Sequence, residues 1–236
     1  MLDESIYREE LNKILREVDR RSHHPFAFNH VRLPEIKLFQ LHFLFLFLNH
    51  TGLDPTLRNH YCISQLFIQL GFDSHDLVDN HPLTDDDAIK ARQLTILLGD
   101  HFSGHYYNYL AEHNQVELIS RWSSVIKTVN EDKLRLYKGQ DSLSANEKLQ
   151  LKQKIRRYAA ESVLRWFNAD PVWFKILNAY VALKVYGEER LATKEMIEAE
   201  VEALKLAIQQ LDDKILQDEF HIWLDKLQLD ELLIGS

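Results

Sequence analysis

LFQLHFLFLFL, residues 38–48, is the stretch on which the fold class turns. Its phenylalanines and leucines would suit a strand as well as a helix. No neighbouring segment reads as a strand partner, so the run is read as a helix that is apolar on every face and belongs inside a core. It is about half the ~20 residues that span a bilayer. Gln40 and His42 also interrupt it.

Outward from this run, the rest of the chain carries helix-type periodicity. Glycine (7) and proline (5) are both scarce. Pro25, Pro34, Pro55, Pro82 and Pro171 fall mostly beside candidate helix starts, where proline is tolerated. The pattern predicts helices at about 3–21, 34–50, 55–79, 86–112, 115–138, 144–167, 171–186, 193–210 and 214–229. Asp54-Pro55 and Asp170-Pro171 read as N-caps with proline in the first turn. Thr193 is half of a capping box, because the residue three positions on is Met196. Gly139 and Gly187 read as helix stops. There is no internal repeat and no long linker, and Lys138–Ala145 is the best candidate for an exposed loop. The expectation is an all-α fold, one helical-bundle domain over residues 1–236.

The composition bounds the function classes. Of 236 residues, 45% are hydrophobic and 11% aromatic, enough for a real core. With 28 basic against 36 acidic side chains the formal charge is −8, which disfavours general nucleic-acid binding. One cysteine, Cys62, excludes an internal disulfide framework and a four-cysteine zinc site. It lies in HYCISQLFIQL on an apolar helix and reads as an inert buried thiol. MLDESIYREELNKILREVDRR is charged throughout and no secretory signal is evident, so a cytoplasmic location with no transmembrane segment is expected. Neither a G-x-S-x-G elbow nor a glycine-rich phosphate loop is present.

Three segments could carry chemistry or contacts. In GFDSHDLVDNHP, residues 71–82, Asp73, Asp76 and Asp79 fall at i, i+3 and i+6, one helical stripe. Carboxylates so placed repel unless they meet water, a cation or a hard metal ion such as magnesium. The plainer reading is a solvated acidic helix end. In RQLTILLGDHFSGHYYNYLAE, residues 92–112, Gly99 and Gly104 stand inside a predicted helix with Ser103 between them. Interior glycines cost ~1 kcal/mol against alanine, so another backbone is expected to approach closely there. Tyr106, Tyr107 and Tyr109 follow, and large amphipathic rings suit either a subunit contact or the chain's own core. His101 and His105 have the i, i+4 spacing of a helical zinc pair but lack its glutamate, and 12 histidines make such a pair unsurprising. IKTVNEDKLRLYKG, residues 126–139, is mildly basic through Lys127, Lys133, Arg135 and Lys138. Asp212-Asp213 reads as a turn between helices.

The order D-S-H-D-L-V-D, then R-Q-L-T-x-L-x-G-D-x-F-S-G-x-Y-Y-x-x-L-x-E, then N-E-x-K-x-x-L-Y resembles the small subunit (component 1) of bacterial heptaprenyl diphosphate synthase. The resemblance is strong over residues 65–138. It implies a truncated form of the all-helical isoprenoid-synthase fold. Catalytic chains of that fold carry D-D-x-x-D on one helix, G-D on the next, a following arginine pair and a second aspartate-rich motif. Carried over, His75-Asp76-Leu77-Val78-Asp79 occupies the first motif with histidine in place of the leading aspartate, a poorer magnesium ligand. Gly99-Asp100 matches the G-D. The arginine pair is missing, with only Arg92 nearby, and Asp212-Asp213 lacks its third aspartate.

The resemblance therefore implies a regulatory subunit with no catalytic residues and no metal of its own, inactive alone. Its partner would be a catalytic large subunit holding Mg2+. Together they would extend farnesyl diphosphate with isopentenyl diphosphate to a long all-trans prenyl diphosphate for menaquinone, usually of seven isoprene units. Ile63, Leu66, Phe67 and Leu70, on the helix before the motif, would help wall the partner's product tunnel, unless they are ordinary core. Gly99, Asp100, Ser103, Gly104, Tyr106 and Tyr107 would form the partner contact, or a homodimer contact when the partner is absent. The alternatives are a self-sufficient magnesium-dependent prenyltransferase or terpene-synthase-like enzyme using Asp73, Asp76 and Asp79, and a helical adaptor without prenyl chemistry.

Overall fold

The computed structural model describes residues 2–78, 81–82, 84–139, 141–189 and 192–227. No strand occurs among them, and the chain is all-α as its periodicity predicts. It divides into two compact units, Tyr7–Trp122 and a second built from Met1–Ile6 with Ser123–Ser236.

In the first unit, α1 (Arg8–Ser22), α2 (Pro25–His30), α3 (Leu38–His50), α4 (Pro55–Asp76) and α5 (Asp86–Glu112) are joined by the start of α6 (Val116–Lys138). The 38–48 run is helical, and every residue from Phe39 to Leu48 is buried. Each fully buried Phe or Leu contributes on the order of 1.5–3 kcal/mol, which makes α3 the anchor of the unit. Helix α4 packs against α1, α3 and α5. Its start is fixed by Asp54, whose carboxylate accepts from the backbone N–H groups of Thr56 (2.9 Å) and Leu57 (3.1 Å), with Pro55 in the first turn. Two buried polar side chains, Ser64 and Arg58, pin it further along. The Trp122 indole N–H donates to Ser64 Oγ at 2.8 Å. Arg58 donates to Asn49 (2.6 Å) and Glu10 (3.2 Å) while its guanidinium lies 4.1 Å from the Phe45 ring centre.

The second unit holds α7 (Ala145–Trp166), α8 (Pro171–Glu189), α9 (Lys194–Gln209) and α10 (Lys214–Asp225). Ser144 and Glu147 close a complete capping box ahead of α7. Helix α8 is buried along most of its length between α7 and α9. Asp213 caps α10 through the Ile215 N–H (2.8 Å), so the Asp212-Asp213 pair is the turn expected of it.

Helix α4 ends at Asp76 rather than 79, so the expected i, i+3, i+6 stripe does not continue on the helix beyond Asp76, and α10 ends at Asp225 rather than 229. Three other boundaries differ from the sequence reading for non-local reasons. The expected 3–21 helix is a short 3-10 turn, Leu2–Glu4, followed by α1 from Arg8. The break falls where the Ile6 N–H donates to the buried Glu219 carboxylate of α10 at 2.9 Å and Lys226 pairs with Glu4 at 2.7 Å. The expected 34–50 helix starts at Leu38, because Leu33–Lys37 lies partly at the surface and only the apolar run enters the core; Pro25–His30 forms the additional short helix α2. Helix α8 runs through Gly187 to Glu189, held by ion pairs from Lys152 to Glu189 and from Arg156 to Glu188.

Candidate functional site

The degenerate aspartate motif ends α4, and the Gly99-Asp100 pair sits midway along α5. The two helices come close because small residues face each other. A Cβ added at Gly71 would lie 2.9 Å from Ser103 Oγ and 3.3 Å from the Gly99 carbonyl oxygen. One turn further along α4, the His75 imidazole lies over Gly99, where a Cβ would be 2.6–2.8 Å from the ring. His75 Nε2 is 3.6 Å from Asp100 Oδ1. The structure thus brings His75, Gly99 and Asp100 together, the two fragments that the sequence pairs only by analogy.

Asp73 is differently engaged. Its Oδ1 accepts from Lys37 Nζ and from Gln69 Nε2, both at 2.8 Å. The other carboxylate oxygen is buried with no hydrogen-bond partner. The pair is largely shielded from water, with side-chain exposures of 30% for Lys37 and 15% for Asp73, so the ammonium neutralises the carboxylate in a medium where that is effective. Asp76 is exposed at the end of the helix. Asp79 lies outside the described residues. This donor set does not fit a magnesium cluster: one carboxylate is held by an internal lysine, and an imidazole stands where a second carboxylate is needed. Among the described residues, no three His, Cys, Asp or Glu side chains come together to hold a metal ion.

Ile63, Leu66, Phe67 and Leu70 are all buried in the chain's own first unit. Phe67 stacks on His105, with ring centres 5.3 Å apart and an interplanar angle of 25°. His105 belongs to a stripe that the sequence reading took only as a pair. His101, His105 and Tyr109 on α5 and its C-cap residue His113 follow one another at i+4. His101 Nε2 is 3.2 Å from the Ser22 carbonyl oxygen and 3.1 Å from His105 Nε2. The carbonyl can only accept, so His101 Nε2 carries the hydrogen and His105 Nε2 faces it as an acceptor. His60 Nδ1 meets the Tyr109 hydroxyl at 2.9 Å, and Arg21 lies 4.9 Å from the Tyr109 ring centre. Desolvation, and then a neighbouring imidazole, hold His60 and His105 below the usual imidazole range; the neighbours are His113 and His101 respectively. The i+4 repeat was present in the sequence, whereas Lys37, remote from the motif by 36 positions, carried no signal.

The six contact candidates on α5 separate by face. Gly99, Ser103 and Tyr106 turn inward to α4; Tyr106 is 1% exposed, and burial pushes its phenol well above the usual range. Asp100, Gly104 and Tyr107 turn outward, beside Ile96 and Leu97. Lys127, Arg135 and Lys138 are exposed on α6, and Lys133 is half-buried. Among the described residues no helix is long and apolar enough to cross a membrane.

Comparison with known proteins bears on this arrangement. The family model described as heptaprenyl diphosphate synthase (HEPPP synthase) subunit 1 matches residues 24–229. The chain is also similar to heptaprenyl diphosphate synthase component 1 of Geobacillus stearothermophilus, at 37% identity over 84 residues. That match takes in 35% of this chain and 36% of the relative's length. No solved structure matches.

Proposed function

The chain belongs to the heptaprenyl diphosphate synthase subunit 1 family, and on that premise we propose that it is a non-catalytic subunit that works by binding a catalytic prenyl diphosphate synthase chain. The observation that carries the reading is the state of the aspartate motif: Asp73 is held by Lys37 and Gln69, and His75 lies over Gly99 beside Asp100.

Joining an allylic diphosphate to isopentenyl diphosphate requires a pyrophosphate to leave carbon. Its departing charge must be met by clustered metal ions and by cationic side chains. The described residues of this chain offer neither a carboxylate cluster nor an arginine pair beside one. The partner therefore supplies Mg2+, the phosphate-binding groups and the chemistry. The substrates of the complex are farnesyl and isopentenyl diphosphate, and its product is a long all-trans prenyl diphosphate, seven isoprene units in the family's name.

This chain contributes shape. The outward face of α5 binds the partner, and the buried set Ile63, Leu66, Phe67 and Leu70 sets the position of α4 and so of the motif end. Their influence on product length is indirect, through where α4 stands, because their side chains are spent on this chain's own core.

The test is reconstitution. The catalytic chain is assayed with Mg2+ and both diphosphates, with and without this chain. A rise in long-chain product on mixing, together with co-elution of the two chains, is expected. No co-elution and no change in rate or product would reject the reading and favour a helical adaptor.

A further inference from the structure

Helices α4 and α5 contain three interior glycines, Gly71, Gly99 and Gly104, and an interior glycine weakens a helix relative to alanine. Two of them have a reason within the chain. A side chain at Gly71 would strike Ser103 and the Gly99 carbonyl, and one at Gly99 would strike the His75 ring. Gly104 has none: a Cβ there meets nothing within 4 Å. A residue that leaves α5 bare, at a cost to helix stability, on the side away from α4 fits a close approach from outside.

The surroundings of Gly104 define what approaches. Asp100, Ser103, Gly104 and Tyr107 stand at i, i+3, i+4 and i+7, the four positions that bound a hole on a helix surface, with the Ser103 side chain turned away to α4 and the other three facing out. Gly104 makes the floor deep. Tyr107 forms one wall and is 48% exposed, and Leu97, 60% exposed, continues the apolar surface N-terminally. Asp100 is exposed at the other wall, and its nearest imidazole nitrogen, on His75, is at 3.6 Å, beyond hydrogen-bond reach. A hole with a bare glycine between a carboxylate on one rim and an aromatic face on the other suits one kind of knob. That knob is a long cationic side chain, its methylenes on Gly104 and its charge between Asp100 and the Tyr107 ring.

We infer that Gly104 is the contact point for a helix of the catalytic partner, and that this helix presents an arginine or lysine to Asp100 and Tyr107 within an otherwise apolar seam. The inference rests on the proposed subunit role and deepens it. A second copy of this chain is the poorer occupant on charge grounds, since both bodies would carry a formal −8.

The experiment compares wild-type chain with Gly104→Ala, Gly104→Leu and Asp100→Asn for binding to the catalytic chain at several salt concentrations. Thermal unfolding of each variant alone is measured in parallel. Gly104→Ala is expected to unfold at the same or a higher temperature than wild type, because alanine favours helix and the space is open, and yet to bind about 3–10-fold more weakly. Gly104→Leu is expected to bind at least ~30-fold more weakly with its fold intact. Asp100→Asn is expected to slow association and flatten its salt dependence.

Wild-type affinity in all three variants, with the wild-type complex forming and active, overturns the inference and leaves the subunit role standing. A Gly104→Leu variant that loses only self-association, while binding the catalytic chain normally, overturns it in favour of a second copy. Failure of the wild-type chain to bind the catalytic chain at all removes the subunit role itself.

Discussion

Replacing Phe67 separates two roles that the sequence left joined. The side chain is fully buried among α4, α5 and their neighbours, and its ring stacks on His105 at 5.3 Å. Truncation to alanine removes a ring from a packed core, a change that costs about 3–5 kcal/mol through lost transfer energy and the cavity left behind. The lost ring pair belongs within that range rather than on top of it. For a unit the size of Tyr7–Trp122, each kcal/mol is worth roughly 3–5 °C. Phe67→Ala should therefore lower the melting temperature by about 10–25 °C, and Phe67→Leu, which keeps most of the volume, by about a third of that. Far-UV circular dichroism of the isolated chain reads both. In the mixed complex, Phe67→Leu should leave the length of the prenyl product unchanged. An unshifted melting curve for Phe67→Ala, accompanied by a changed product length, would refute the assignment of this side chain to the core and return it to the wall of a tunnel.

Three further outcomes follow from the same structure. Lys37→Met removes the cation from the largely shielded Asp73 carboxylate, which keeps the Gln69 hydrogen bond but has one oxygen already unpartnered, and should cost about 1–3 kcal/mol in chemical denaturation, with Asp73→Asn in the same chain restoring most of it. Because His60 and His105 resist protonation when folded, the unfolded chain binds more protons once pH drops below the ordinary imidazole value of 6.5. Stability should accordingly be full above pH 6.5 and fall as pH descends through the lowered folded-state values, and His105→Leu should flatten that fall in denaturant titrations from pH 8 to 5. Burial pushes the Cys62 thiol up to about 12, so a thiol reagent at pH 8 should label it only at the rate of unfolding, and prompt labelling of native protein would contradict the packing around α4.

What could be read in advance depended on whether the physics was local. Helix starts were legible because capping is a conversation between residues two or three apart: Asp54 with Thr56 and Leu57, Asp170 with Val172 (2.9 Å), Thr193 with Met196 (3.4 Å). The 38–48 run was legible because a stretch without a polar face has nowhere to go but inside. Gly187 misled because ion pairs from α7 carry α8 past it, and the N-terminal helix was overextended because Glu219, 213 positions away, takes the Ile6 N–H. The same division runs through the candidate site. The carboxylate stripe and the glycines of α5 stood out as patterns, but which glycine faces inward depends on the rotation of α5 against α4. That rotation is set by the meeting of Gly71 with Ser103 and of His75 with Gly99. Lys37, which occupies Asp73, comes from an irregular segment with no pattern at all.

The decisive measurement is turnover by the purified chain in isolation, supplied with Mg2+, farnesyl diphosphate and radiolabelled isopentenyl diphosphate. No labelled prenyl product should form until the catalytic chain is added. Product formed by this polypeptide alone, and lost on replacing Asp73 and Asp76 by alanine in a variant that keeps its helical content, would contradict the account at its base.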